Sequence, residues 1–267
     1  MDISTKEKLQ HMYEKHPSFN SPENEDIKIW RYLDIPKFLW LLERKSLYFS
    51  RCDLLGDAFE GSLPSTSGQI VFAPLVAKVG AGLPIIDKKN IPISPSIHDK
   101  WRKECYICSF HMNDYESAAL WSIYTKTRQG IAIQSTFKKL IDSLENYNMN
   151  SVFIGTVKYI DYESEIIPVE QNLYLPILHK RKSFEHEREI RAVISQPREI
   201  FVGVTPHKEC EKYGGLNVPI NLDCLIENIY LAPTTKPWIK DLLTSIMAKQ
   251  GVKKELKQSN LDASPIF

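Results

Sequence analysis

Four groups of side chains have the types and spacing to do chemistry. The first is Glu187-Arg-Glu189-Ile-Arg191, at the end of the charged stretch His179–Glu189. On an extended chain Glu187, Glu189 and Arg191 share one face, because strand side chains alternate with period 2. Two carboxylates beside a guanidinium at a strand edge form a polar pocket able to orient a ribose hydroxyl or stabilise an oxocarbenium-like centre. Like charges on one face repel, so the stretch also reads as a solvated helix end laced by i, i+4 ion pairs. The second group, Arg51-Cys-Asp53-Leu-Leu-Gly56-Asp57-Ala-Phe59-Glu60, follows a strand. It is either the rim of a site or a set of tight turns and caps. In the third, Trp30-Arg31-Tyr32, the arginine can offer its fork to a phosphate or stack on aromatic rings. In the fourth, Trp121 and Tyr124 lie on one helix face, which core packing explains, and Ser135 and Thr136 stand where they can cap the next helix.

Cys105-Tyr-Ile-Cys108 with His111 has the look of half a zinc site, but no second ligand pair follows. Alternation around the two cysteines predicts a buried strand instead, with the thiols as small apolar residues. No metal is expected.

These groups must be positioned by a chain of 267 residues with 34 Lys+Arg against 33 Asp+Glu, a net charge of +1, and 43% hydrophobic residues. Such values exclude collagen, coiled coil, disorder and a disulfide scaffold. The near-neutral sum argues against gripping long nucleic acid by net charge, yet leaves room for a basic strip at His179-Lys180-Arg181-Lys182. No apolar run approaches the ~20 residues of a membrane span, and Met1 to Lys15 lacks a secretory signal's apolar core. A cytoplasmic protein without membrane contact is expected.

The patterning predicts a polar N-terminal helix and loop (1–26), one domain (27–260) and a short tail (261–267). Strands are expected at Ile27–Tyr32, Leu47–Ser50, Tyr106–Phe110, Gly130–Gln134, Val152–Tyr159, Ile190–Ile194, Ile229–Leu231 and Val252–Leu256. Helices are expected after Asp34, at Tyr115–Tyr124, Leu140–Leu144 and Pro237–Gln250, the last closed by Gly251. Pro and Gly punctuate 62–104, which reads as an insertion holding one short helix near Ile70–Val79. Strands outnumber helices without a strict βαβ rhythm, so the fold is expected to be α+β, with a mixed, mainly antiparallel sheet flanked by helices.

In order, Arg31-Tyr32, Leu47-Tyr-Phe-Ser-Arg51, Asp57-Ala-Phe59-Glu60, Ser109-Phe110, Trp121-x-x-Tyr124 with Gly130, Phe184-x-x-Glu187-x-Glu189-x-Arg191 and the closing Val252–Ser259 resemble the bacterial family catalogued as domain of unknown function 2971. More distantly, Arg31, Ser135-Thr136 and Glu187-x-Glu189 fall in the order seen in toxin-type ADP-ribosyltransferases. That resemblance implies NAD as substrate, with Arg31 on the pyrophosphate beside Tyr32, Ser135 bracing the nicotinamide ribose, and Trp121 or Tyr124 stacking on nicotinamide. Glu189 would stabilise positive charge as nicotinamide leaves, and Glu187 would assist the incoming nucleophile. Arg51, Asp57, Glu60 and Arg191 would complete the polar site. The implied role is a stress or phage-defence effector that modifies a macromolecule, nucleic acid or protein, and is controlled by a neutralising or defence-system partner. The alternatives are a non-catalytic ligand-sensing module, or a metal-dependent nuclease using Asp57, Glu60, Glu187 and Glu189.

Overall fold

The computed structural model describes residues 15–64, 95–125, 129–145, 147–167, 174–196 and 212–263. The helices expected in the first 14 residues and near Ile70–Val79 lie outside these. The fold is α+β, built on one large, mainly antiparallel sheet with helices against it.

Strand β1 (Lys28–Asp34) leads into helix α1 (Ile35–Arg44). Asp34 accepts the Lys37 amide at 2.8 Å, the cap its side chain is suited to, and Pro36 occupies the first turn. The helix buries Phe38, Leu41 and Leu42, whereas Leu39 is only half-buried. Lys45, at φ 46°, turns the chain into β2 (Ser46–Arg51). Helix α2 (Pro95–Glu104) runs into β3 (Cys105–Met112), and α3 (Ala118–Tyr124) precedes β4 (Gly130–Thr136) and α4 (Phe137–Ser143).

The stretch expected as one strand at 152–159 is two, β5 (Phe153–Thr156) and β6 (Lys158–Ile160). It divides at Val157, because β5 joins the large sheet and β6 pairs separately with β7 (His179–Arg181). A 3-10 helix, Lys182–Glu187, then leads into β8 (Glu189–Ser195). The end of the chain forms β9 (Gly215–Pro219), α5 (Leu222–Leu225), β10 (Asn228–Leu231), α6 (Pro237–Lys249) and β11 (Leu256–Gln258). Gly251 follows α6 at φ +79°, the left-handed residue expected there. The last strand starts at Leu256, not Val252, because its parallel pairing with β10 begins at Ile229 opposite Leu256. Among the described residues no helix is long and apolar enough to cross a membrane.

Strand β3 organises the sheet. One edge pairs with β8 from Cys105 to His111. The other edge is shared, with β1 meeting it at His111 and Met112 and β2 meeting it at Tyr106 and Ile107. The two partners therefore fork apart beside residues 108–110. One face of the sheet carries the main apolar core, including Ile29, Phe38, Phe49, Phe110, Ile133 and Ile190. The opposite face carries Trp30, His111, Glu189 and Arg191, because cross-strand partners share a face and neighbours along a strand do not.

Gly130, at the start of β4, leaves no room for a side chain. A Cβ there would collide with the Thr125 methyl and lie 2.7 Å from the Leu33 carbonyl oxygen. Gly130→Ala is expected to destabilise the fold by about 1–3 kcal/mol, read as a lowered Tm; an unchanged Tm would contradict this packing.

Candidate functional site

The outer face of β8 holds a buried cluster of five charged side chains: Glu60, Lys180, Glu187, Glu189 and Arg191. Burying charge is costly unless each group is paired and hydrogen-bonded, and here each is. Arg191, 1% exposed, donates from Nε to Glu189 Oε2 at 2.8 Å and from its Nη2 to Glu189 Oε1 at 3.1 Å and Glu60 Oε1 at 3.0 Å. Its Nη1 donates to the Ile177 carbonyl at 2.6 Å and is ion-paired with Glu60 Oε2 at 2.9 Å. Lys180 Nζ lies among three carboxylates, 2.6 Å from Glu187, 2.8 Å from Glu189 and 3.1 Å from Glu60. The Phe184 ring covers the ammonium at 4.6 Å.

Local structure explains how distant residues arrive there. The loop after β2 folds back through an Asp57 carbonyl–Glu60 amide turn. Strand β7 points Lys180 inward and Arg181 outward, where Arg181 pairs with Asp57 at 2.6 Å and lies over Phe59. Between Glu187 and Glu189, Arg188 takes φ 40°, and the Glu187 and Glu189 carboxyls both accept from the Lys180 ammonium.

Three carboxylates face two cations, so the fully ionised cluster carries one surplus negative charge. The surplus falls on Glu187, whose pKa is pushed up to about 7 by burial and by the Glu189 carboxyl beside it. Burial alone would raise Glu189 too, but the charges of Arg191 and Lys180 outweigh it and hold that carboxyl well below the usual range. The Tyr124 phenol, at the end of α3, feels Glu187, Glu189, Lys180 and Arg31; burial and the two glutamates push it up to about 12. Tyr159 accepts the Glu189 amide at 2.8 Å.

The structure thus unites Glu187, Glu189, Arg191 and Glu60, with Tyr124 beside them. The other sequence candidates fall elsewhere. Arg31 fills the fork between β1 and β2, with three N–H donors directed to Cys108 Sγ at 2.8 Å, the Ser109 carbonyl at 2.9 Å and the Tyr48 carbonyl at 3.3 Å. Its stacking partner is Phe110, at 5.4 Å, and not Trp30 or Tyr32, which point to the other face. Ser135 is fully buried on the core face opposite Ile29 and donates to the Leu225 carbonyl at 2.5 Å, so it does not face Glu189. Thr136, not Ser135, caps α4. Tyr32 and Trp121 pack edge-to-face at 5.1 Å, the Tyr32 hydroxyl accepting from the Ser117 amide and the Trp121 indole donating to Glu116. Trp121 is 4% exposed and has no open ring face for stacking. Arg51 pairs with Asp53 at 2.6 Å, and Asp57 with Arg181.

Two expectations from charge are corrected. The His179–Lys182 run is no basic strip: His179 and Lys180 are buried, Arg181 is paired, and Lys182 is the exposed one. The 182–187 turn is exposed along most of its length, but Glu187, Glu189 and Arg191 are buried and do not belong to a solvated helix end. Lys180, read from the sequence as part of a surface strip, is instead the inward counter-ion of the three carboxylates. Sequence reasoning missed His111, which lies directly across from Glu189.

Cys105 and Cys108 are buried on β3, as the alternation predicts. Their odd spacing sends one to the outer cluster and one to the main core, so they do not form a ligand pair. Among the described residues no group of three or more His, Cys, Asp or Glu is placed to hold a metal ion. Compared with protein-family models, curated proteins and solved structures, the chain has no match in any of the three.

Removing one partner from a buried ion cluster leaves uncompensated charge. Arg191→Met is expected to cost about 3–5 kcal/mol in denaturant unfolding, and a loss below ~1 kcal/mol would contradict the geometry. Glu187 adds a pH dependence. Its folded-state pKa is raised, so its stabilising contribution is complete below the ordinary carboxyl range and is lost as pH rises through about 7. His111 and His179, lowered by burial, act oppositely, losing stability as pH falls through their ordinary range. Glu187→Gln isolates the first effect. The wild-type minus variant stability is expected to fall by about 1–3 kcal/mol between about pH 5 and about pH 8, and parallel pH curves would refute it.

Proposed function

We propose that this chain is an enzyme acting at an anomeric carbon, an ADP-ribosyltransferase that takes NAD as substrate. One observation carries the reading: two adjacent carboxyls, one held ionised by Arg191 and Lys180 and the other titrating near neutrality, beside a half-exposed tyrosine. Paired titratable groups whose environments push their pKa values apart are the usual mark of acid–base roles. Both carboxyls lie against the same Lys180 ammonium, at 2.6 and 2.8 Å, rather than on opposite sides of a sugar bond as in glycoside hydrolases. Both therefore act from one side of the substrate. Glu189 stabilises positive charge at the ribose carbon as nicotinamide departs with the bonding electrons. Glu187, ionised, takes the proton from the acceptor that attacks that carbon. Tyr124 offers a ring at the rim.

The NAD-binding roles of Arg31 and Ser135 lack this support, since both side chains already serve internal partners. The resemblance to the domain-of-unknown-function 2971 family supports a bacterial stress or phage-defence setting with a macromolecular acceptor and a controlling partner. Metal-dependent nuclease chemistry is less favoured, because the Lys180 ammonium stands among the three carboxylates where a divalent cation would sit. The completeness of the ion pairing favours a second reading, a ligand-sensing module in which the cluster is structural.

Incubation with NAD labelled separately in nicotinamide and adenosine, with bacterial RNA, DNA and protein as acceptors, separates them. The transferase releases nicotinamide and moves adenosine label to one acceptor class. Glu189→Gln lowers both by roughly 100- to 1000-fold, while Glu187→Gln lowers transfer more than release. Neither release nor transfer by the wild-type chain refutes the enzyme reading in favour of the module.

A further inference from the structure

Glu187 ends the 3-10 turn, and two hydrogen bonds tie that end to β3. The Met112 amide donates to the Arg188 carbonyl at 2.9 Å, and His111 Nδ1 lies 2.7 Å from the Glu187 carbonyl oxygen. A carbonyl only accepts, so Nδ1 carries the proton. Burial, with the nearby charges of Arg188 and His186, disfavours the imidazolium and keeps the ring neutral. Nε2 is then a bare acceptor, and among the described residues it is enclosed with no hydrogen-bond partner. An apolar side chain at this buried place, 5% exposed, would avoid that loss. A ring kept there for a single bond points to what the bond holds. It holds a turn that needs restraint, because Arg188 is a non-glycine residue at φ 40°.

We propose that His111 is a positioning residue for the Glu187–Glu189 couple, its Nδ1–H clamping the Glu187 peptide so that the carboxyl stays against Glu189 and Lys180. This rests on the role given to that couple above. Lys180 touches the Glu187 carboxyl and Glu189 stands beside it on the same ammonium, Glu60 and Arg191 lie behind them, Tyr124 is near it at the end of α3, and His186 and Arg188 flank it. Without the clamp, Glu187 is free to turn toward solvent and regain an ordinary carboxyl's behaviour.

Three variants of the full chain test this: His111→Asn, whose amide N–H falls near the place of Nδ1, His111→Gln, whose donor falls near Nε2, and His111→Ala. Carbon-13 NMR of labelled glutamate carboxyls, with Glu187 assigned by its loss in Glu187→Gln, reads the couple without turnover. Wild type and His111→Asn are expected to titrate near 7, and His111→Gln and His111→Ala to fall by about a unit or more toward the ordinary range. Nitrogen-15 NMR of wild type is expected to show Nδ1 protonated and Nε2 bare. An unmoved Glu187 midpoint in His111→Ala, or a proton on Nε2 alone, overturns the proposal. If His111→Ala does not fold, equal midpoints in the Asn and Gln variants overturn it. In an NAD-cleaving chain His111→Gln also loses roughly 10- to 100-fold in rate, rescued in His111→Asn. A chain that turns over no NAD yet shows the shifted midpoints retains the clamp and loses only the transferase reading.

Discussion

Arg191 is the group around which the outer half of this molecule is arranged. Its guanidinium, on the outer face of β8, is 1% exposed, and a charge so enclosed has to be answered by carboxylates in the same enclosure. Glu189 answers from two residues earlier on the same strand, and Glu60 reaches in from the loop after β2. Those two carboxylates, with Glu187, over-compensate a single cation, and Lys180 of β7 supplies a second. The loop after β2 is thereby bound to β7 and β8, which lie more than a hundred residues further along the chain. Each additional charge is explained by the one before it, and the last carboxyl, Glu187, is left with a proton that it holds near neutrality.

The two faces of the sheet divide their work. The core face is apolar, and the one cation that approaches it, Arg31, is absorbed by backbone carbonyls at the fork where β1 and β2 separate along β3. That role closes a gap in the sheet which would otherwise leave the Ser109 carbonyl without a partner on that edge. The outer face is polar at the β8 end and aromatic at the β1 end, where Trp30, Tyr32 and Trp121 pack together. His111 lies between the two regions, 6.3 Å from the Tyr32 ring and opposite Glu189. A polar couple whose proton can leave near pH 7 is thus held by a rigid strand on one side and a clamped turn on the other, the arrangement that preorganised proton transfer needs.

What could be read from the residues varied with the range of the interaction that decided it. Asp34 before Ile35-Pro36 marked a helix start, and Gly251 marked a helix end, because caps and left-handed turns are settled within four residues. Alternation at Cys105–Phe110 and the apolar run Ile190–Ile194 marked the central strands for the same reason. Strand β9 and the division of β5 from β6 went unread, since both depend on which distant strand each segment pairs with. Ser135 was a sound candidate by order along the chain, but the register opposite Ile29 turned it to the core.

The sequence by itself determined the α+β class, most strand positions and the grouping of Glu187, Glu189 and Arg191, all consequences of local periodicity. Only the tertiary structure decided that Lys180 and Glu60 complete the cluster, that Arg31 belongs to the fork, and which carboxyl keeps its proton. Those outcomes follow from burial and from contacts between separate segments, as far apart as the 131 residues between Glu60 and Arg191. Neither quantity is encoded in spacing along a chain.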